Sequence, residues 1–303
     1  MSDPGERRAA EAAVASCYAT WADSYYRDYY TGAAYPPVHQ EVVRRLLDQS
    51  GARRVLDAGC GPASMLRNLT APGRALFGFD LTPEMVQEAR RVMSGLGALE
   101  NHIWQGSVAD ATAFAAPDGS GPFDAAICVG VLPHVPGALD DVVIGNLRDA
   151  VTPGGLVAAE ARNQLFALFT LNRYSHEFFL TDLIRVDALR QAAGDRAATL
   201  DQALDLVRER FRTDLPPKRK GKAGEPGYDQ VLSRTHNPFV LKERFVAAGL
   251  KDVRVMFYHY HCLPPMLESA VPELFRRESL RMEDPDDWRG HFMASAFLTV
   301  GRR

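Results

Sequence analysis

Val55-Leu56-Asp57-Ala58-Gly59-Cys60-Gly61-Pro62 reads as a short apolar strand running into a glycine turn. Small residues at such a turn let a ligand approach the backbone. Gly59 and Gly61 fit the first two places of the dinucleotide fingerprint G-x-G-x-x-G, but Ser64 holds the third. Asp57 sits inside the strand. A carboxylate there gives a pyrophosphate nothing, whereas it attracts a cationic ligand through charge and hydrogen bonding. Read blandly, the glycines make only a tight turn.

Outward from this turn, strand and helix patterns alternate. Residues 54–58, 75–79 (ending at Asp80), 102–105, 123–129 and 156–161 read as strands. Residues 63–69, 83–93 and 138–150 read as helices, the second with Pro83 in its first turn and Thr82 as its cap. Strands that are apolar throughout and alternate with helices indicate a parallel sheet covered on both faces. Right-handed crossovers make it a doubly wound, Rossmann-like sheet. Helical stretches at 181–193 and 200–211 interrupt the pattern and lead into the basic run Pro216-Pro217-Lys218-Arg219-Lys220-Gly221-Lys222-Ala223-Gly224. The sheet pattern returns with a helix at 238–248 and strands at 253–259 and 292–300. The expected fold is α/β, a mostly parallel sheet with an antiparallel C-terminal strand and helical cap insertions. The expected divisions are an aromatic helical arm or lid (1–50), a core (51–161), a cap insertion (162–236) and completion of the sheet (237–303) with a second insertion at 262–291.

Composition narrows the function classes. Apolar residues make up 46% of the 303 and charged residues 24%, as in soluble globular proteins. Lys and Arg number 35 against 38 Asp and Glu, a net charge of −3, so the positive excess used for sequence-independent nucleic-acid binding is missing. Cys17, Cys60, Cys128 and Cys262 stand far apart with no C-x-x-C pair, which argues against a disulfide framework or a structural zinc and for a reducing compartment. The N-terminal residues lack the apolar stretch of a signal peptide, and no apolar run is long enough to span a bilayer. A cytoplasmic location is expected, with neither membrane nor nucleic acid as partner.

The ordered motifs resemble the class I S-adenosylmethionine-dependent methyltransferases over about residues 54–160 and the two terminal strands. The carrying stretches are Val55 to Gly61, Gly78-Phe79-Asp80-Leu81-Thr82-Pro83-Glu84-Met85, Gln105-Gly106-Ser107-Val108, residues 123–135 and residues 147–156. The resemblance implies S-adenosylmethionine as cofactor and S-adenosylhomocysteine as product. It places Asp57, Gly59, Cys60 and Gly61 at the methionine portion, with Asp57 toward its ammonium. It gives Asp80 the ribose hydroxyls, which an acceptor pair binds well; the bland alternative is a helix-capping acid, disfavoured by the ordered motifs. Leu81 and Met85 would line the adenine. Where the family commonly has an acid near the adenine amino group, Ser107 and Val108 stand here, with Asp110 as a substitute. Val129 and Gly130 would lie near the reacting methyl.

The acceptor side is less legible. Methyl transfer is an in-line displacement helped mostly by alignment, and a base helps if the acceptor is a hydroxyl or an ammonium. His134, after the fourth strand, is the candidate catalytic base, unless it only shapes the pocket. Tyr18, Trp21 and Tyr25 share a helical face; they either pack the arm or form a lid, with Tyr25 toward the cofactor and Tyr29 and Tyr30 toward the acceptor. Arg173, Tyr174, His176, His259 and His261 are further acceptor-binding candidates. Arg162 and Arg173 could hold an anion or form surface ion pairs. His259 and His261, two apart on a strand, are expected to face one side; with His236 they could bind a metal, but no diagnostic spacing supports it, and no metal is expected. The resulting expectation is methyl transfer to a small molecule, to oxygen before nitrogen or carbon, in specialised metabolism, with the oligomeric state open. A nicotinamide-dependent oxidoreductase and a non-catalytic binding module are the rivals. The first conflicts with Asp57 and Ser64; the second would more plausibly lose Asp57, Asp80 or the glycines.

Overall fold

The computed structural model describes residues 4–22, 24–31, 36–215 and 231–303. Tyr35, the Lys218–Lys222 run and the side chain of Tyr29 lie outside the described residues. Seven strands form one sheet: β1 (Arg54–Ala58), β2 (Ala75–Asp80), β3 (Ile103–Gln105), β4 (Phe123–Cys128), β5 (Val151–Arg162), β6 (Lys251–Tyr260) and β7 (Ala294–Arg302). Their order is β3-β2-β1-β4-β5-β7-β6. The first five run parallel, and β7 pairs antiparallel with both β5 and β6. Strand order reverses at β1, where β2 lies on one side and β4 on the other. A crevice opens at the carboxyl ends of strands at such a switch point.

Alternate residues of each strand feed two separate cores. Leu56, Phe77, Ala126 and Val157 face one way, under the helix α4 (Asp140–Ala150) and the helix Pro238–Ala247. Val55, Leu76, Ala125 and Leu156 face the other, under α2 (Val38–Ser50) and α3 (Pro83–Ser94). Burial on both faces is why these strands read as continuous apolar runs rather than as alternating ones. Ahead of the sheet, α1 (Pro4–Ala19) packs on α3, and a π-turn follows at Arg27–Thr31.

Several expected elements are corrected. Residues 63–69 hold only a three-residue 3-10 turn, Leu66–Asn68, after Ala63 at φ 59°. Leu66 and Leu69 are both fully buried, and three residues per turn stacks i and i+3 on one side. The expected helix at 181–193 is broken. A helix at Arg173–Phe178 runs into a π-turn at Phe179–Leu183, Ile184 is extended, and a new helix starts at Val186. Thr181 Oγ1 donates back to Glu177 O, a bond that bends helices, and β-branched Thr181, Ile184 and Val186 resist continuation. Between β6 and β7 lie a 3-10 turn at Pro265–Ala270 and helices at Pro272–Arg281 and Gly290–Met293.

Candidate functional site

The glycine turn is built by strand neighbours. Gly59 N and Cys60 N both donate to Phe79 O, at 2.8 and 2.9 Å, which folds the turn over the end of β2. Gly59 has φ 84°, and a Cβ there would stand 2.3 Å from Val131 Cγ2. Conformation and space both demand glycine. Gly61 N donates to Asp80 Oδ2 at 2.8 Å, and Thr82 N to Asp80 Oδ1 at 2.9 Å. Asp80 thus fixes the turn, and the Thr82 side chain and Leu81 backbone also hydrogen-bond to it.

Asp57 is buried, and its Oδ1 has no hydrogen-bond partner among the described residues. Burial, with the Asp80 charge beside it, pushes its carboxyl up to about 8. Burial also raises Asp80, against the hydrogen bonds from Thr82 and Gly61. A buried carboxylate without a partner is costly until a cation or donor arrives.

These groups floor a cleft with about 960 Å³ of empty space, its open mouth included. Asp57, Gly59, Cys60, Gly61, Asp80, Leu81, Met85, Ser107, Val108, Val129 and Tyr25 all line it. Glu11, Val14 and Tyr18 of α1 roof it. Its described lining residues include three carboxylates, Glu11, Asp57 and Asp80, and no lysine or arginine. The donor set therefore fits a ligand carrying positive charge and hydroxyl groups.

At the far end, the Gly130 amide donates to the buried Glu160 carboxylate, which the Tyr258 hydroxyl also reaches. His134 Nδ1 lies 2.7 Å from Leu232 O, and its Nε2 lies 2.9 Å from the Tyr18 hydroxyl. A carbonyl only accepts, so Nδ1 carries the proton and Nε2 accepts from Tyr18. Leu232 is held in place by its neighbour Arg234, which pairs with buried Asp140 at 2.5 Å and donates to Val135 O. A second cleft opens here. It shares Tyr18, Tyr25, Tyr30 and His134 with the first and adds His39, Glu160, Arg162, Tyr258 and His259.

Residues 55–155 match a family model described as a methyltransferase domain. Over those residues the chain is similar to methyltransferase domains. Over 135 residues the chain is 32% identical to a ubiquinone biosynthesis O-methyltransferase of Xanthomonas axonopodis pv. citri, covering 45% of this chain and 53% of that protein. The chain spans about half the length of the curated relatives it matches. Its fold is similar to that of a magnesium protoporphyrin IX methyltransferase from Synechocystis with bound SAH (TM-score 0.51, 16% identity, covering 97% of this chain and 100% of that one). A Burkholderia thailandensis O-methyltransferase family protein is similar at TM-score 0.50 and 16% identity, covering 94% and 59%.

The clefts do not gather every expected residue. Ser107 lines the first cleft, but its hydroxyl donates to Glu11 Oε1 of α1 at 2.6 Å. Asp110 is exposed and caps Thr112 N at 3.0 Å. Arg173 lies over the Tyr174 ring, and His176 lines a separate surface groove by Asp187 and Asp201; none of the three lines either cleft. His261 packs on Phe166 and Phe275, away from His259. The two histidines do not share a side because β6 takes φ 57° at His259, which breaks its alternation. His236 stands by Asp140 and Arg234 instead. No group of three metal-binding side chains occurs among the described residues. Glu11, His39, Glu160 and Tyr258 were not singled out by sequence reading. Glu11 carried a signal, since Glu11, Val14 and Tyr18 recur at i, i+3 and i+7 on one helix face. His39 carried none, as an isolated histidine in a helix.

Proposed function

We propose that this chain binds S-adenosylmethionine in the first cleft and transfers its methyl group to a hydroxyl of a small molecule held in the second. The unpartnered, buried Asp57 Oδ1 beneath the Gly59–Gly61 turn carries this reading. An ammonium there would relieve its desolvation. Asp80 would take the ribose hydroxyls, with Leu81 and Met85 along the adenine and Cys60, Val108, Val129 and Tyr25 completing the pocket. When bound, the cofactor supplies a methyl already activated by its sulfonium. The nicotinamide alternative gains no support from a cleft whose described lining holds no lysine or arginine.

The chain's own residues would align the acceptor and move its proton. Tyr18 lines both clefts, and its hydroxyl donates to His134 Nε2. A hydroxyl acceptor gives its proton to the Tyr18 oxygen as the Tyr18 proton moves to His134. The Leu232 carbonyl holds the imidazolium that results. His134 is thus the base, acting through Tyr18. Oxygen as the accepting atom also agrees with the name of the curated relatives.

In this reading residues 1–50 are a lid, 51–161 and 237–303 the cofactor-binding core, and 162–236 and 262–291 caps that restrict access to small acceptors, as specialised metabolites would be. The four free cysteines suit a reducing cytoplasm, and no described helix is long and apolar enough to cross a membrane. The test is release of S-adenosylhomocysteine across a panel of phenols, aliphatic alcohols and amines. Release with hydroxyl acceptors is expected. Release with amines alone overturns the choice of oxygen, and cofactor binding without release from any acceptor favours a binding module.

A further inference from the structure

Glu160 lines the second cleft but not the first, while Val129 and Gly130 line both. The parallel ladder between β4 and β5 ends at the pair Cys128 and Ala159. Beyond it Gly130 turns out of strand geometry, at φ 75°, and its N–H needs a partner from outside the ladder. Glu160, the next residue of β5, supplies that partner with its side chain: Oε2 accepts from Gly130 N. The carboxylate is itself held. It is buried, and the Tyr258 hydroxyl of β6 donates to it. Tyr258 is buried in turn, its ring stacked on His39 of α2 at 5.5 Å.

The orientation of one peptide follows. The Val129–Gly130 bond is trans, and in a planar trans peptide the N–H and the C=O point in opposite directions. β4 lies between β1 and β5. With the Gly130 N–H turned to β5, the Val129 carbonyl is turned to β1, whose end carries Asp57 and the Gly59–Gly61 turn. A carbonyl only accepts and an ammonium only donates, and its three donors call for more than the one acceptor that Asp57 Oδ1 offers.

Building on the methyl transfer proposed above, we infer that Glu160 is a positioning residue for the methyl donor. From outside the donor's cleft it holds the Val129–Gly130 peptide so that the Val129 carbonyl meets the ammonium beside Asp57. Released from Glu160, a peptide ending in glycine turns over readily and presents its N–H to the ammonium instead. The loss therefore falls on the amino-acid end of the ligand and spares its nucleoside.

Calorimetric titration of S-adenosylhomocysteine and of methylthioadenosine tests this. The second ligand keeps the nucleoside and the thioether but has neither ammonium nor carboxylate. Glu160→Met keeps the reach of the side chain and removes the acceptor. It is expected to lose roughly tenfold in S-adenosylhomocysteine affinity, the worth of one hydrogen bond, and to bind methylthioadenosine within about twofold of wild type. Glu160→Gln retains an oxygen for the Gly130 amide and an amide N–H for the Tyr258 oxygen, and is expected to bind S-adenosylhomocysteine within about threefold of wild type. If the methionine variant fails to fold, Glu160→Ala takes its place with the same expected split between ligands. Equal losses for the two ligands, undiminished S-adenosylhomocysteine binding by a folded variant without the acceptor, or a glutamine variant as weak as the methionine one overturns the inference. Failure of the wild type to bind S-adenosylhomocysteine overturns the methyl-transfer reading beneath it.

Discussion

The Tyr18 hydroxyl donates to His134 Nε2 at 2.9 Å, joining α1 to the loop after the fourth strand. Tyr18→Phe removes this hydrogen bond to a buried imidazole. A stability loss of about 1–3 kcal/mol is expected. Turnover is expected to fall roughly 100-fold, the lower range of general-base effects, with S-adenosylhomocysteine affinity within a few-fold of wild type. Steady-state kinetics beside calorimetry checks this; unchanged turnover in a folded variant would remove Tyr18 from the proton path.

Gly59 and Gly61 differ in what surrounds them. Both have positive φ, but a Cβ at Gly59 collides with Val131 whereas one at Gly61 meets nothing within 4 Å. Gly59→Ala is expected to cost roughly 2 kcal/mol or more, a melting shift of roughly 4–8 °C, and to abolish cofactor binding. Gly61→Ala pays only the left-handed backbone penalty of about 1 kcal/mol. Thermal melts of the pair should separate them; equal shifts would contradict the packing of Val131 on the turn.

Asp57 titrates at about 8 in the unliganded protein. At pH 7 its carboxyl therefore holds a proton that an incoming ammonium expels. S-adenosylhomocysteine affinity is expected to rise with pH toward about 8, with proton release at pH 7 visible as a dependence of the binding heat on buffer ionisation. Asp57→Asn should abolish that dependence. For folding of the unliganded chain the sign is opposite. The folded state binds this proton between about 4 and 8 where the unfolded chain does not, so this contribution is lost as pH rises through 8.

Three buried imidazoles work the other way. His39 lies at about 3, and His259 and His261 at about 4, against an ordinary 6.5. Burial is the leading cause in each. The unfolded chain takes up protons as pH falls below about 6.5 while the folded state does not, so stability drops between about 6.5 and 4. His261→Phe keeps ring packing against Phe166 and Phe275 and should remove about one proton from the slope of unfolding free energy against pH. A slope identical to wild type in denaturant melts would contradict the buried, neutral state of His261.

Most of the sheet and the residues that line the first cleft were legible because they depend on local patterns. Apolar runs, the Gly59–Gly61 turn and the Asp80 strand end each carry their meaning within a few residues. The 3-10 turn at Leu66 was missed because leucines three apart satisfy helical spacing equally well. The second cleft was not legible because it is assembled from distant segments of the chain. Tyr18 and Leu232 meet His134 from opposite ends of the chain, and His39 meets His259 across the sheet edge. His259 was read by strict alternation, which cannot anticipate a backbone reversal fixed by Glu283. Arg173, Tyr174 and His176 followed the fifth strand closely in sequence, but the chain carries them away from its end.

The most direct measurement is calorimetric titration of S-adenosylhomocysteine into the wild-type chain and Asp80→Ala, with NADH as control. Micromolar binding to the wild type, a loss of at least tenfold in Asp80→Ala and no binding of NADH are the expected results. Binding of NADH in place of S-adenosylhomocysteine, or binding indifferent to Asp80, would contradict a cleft made for the methyl donor.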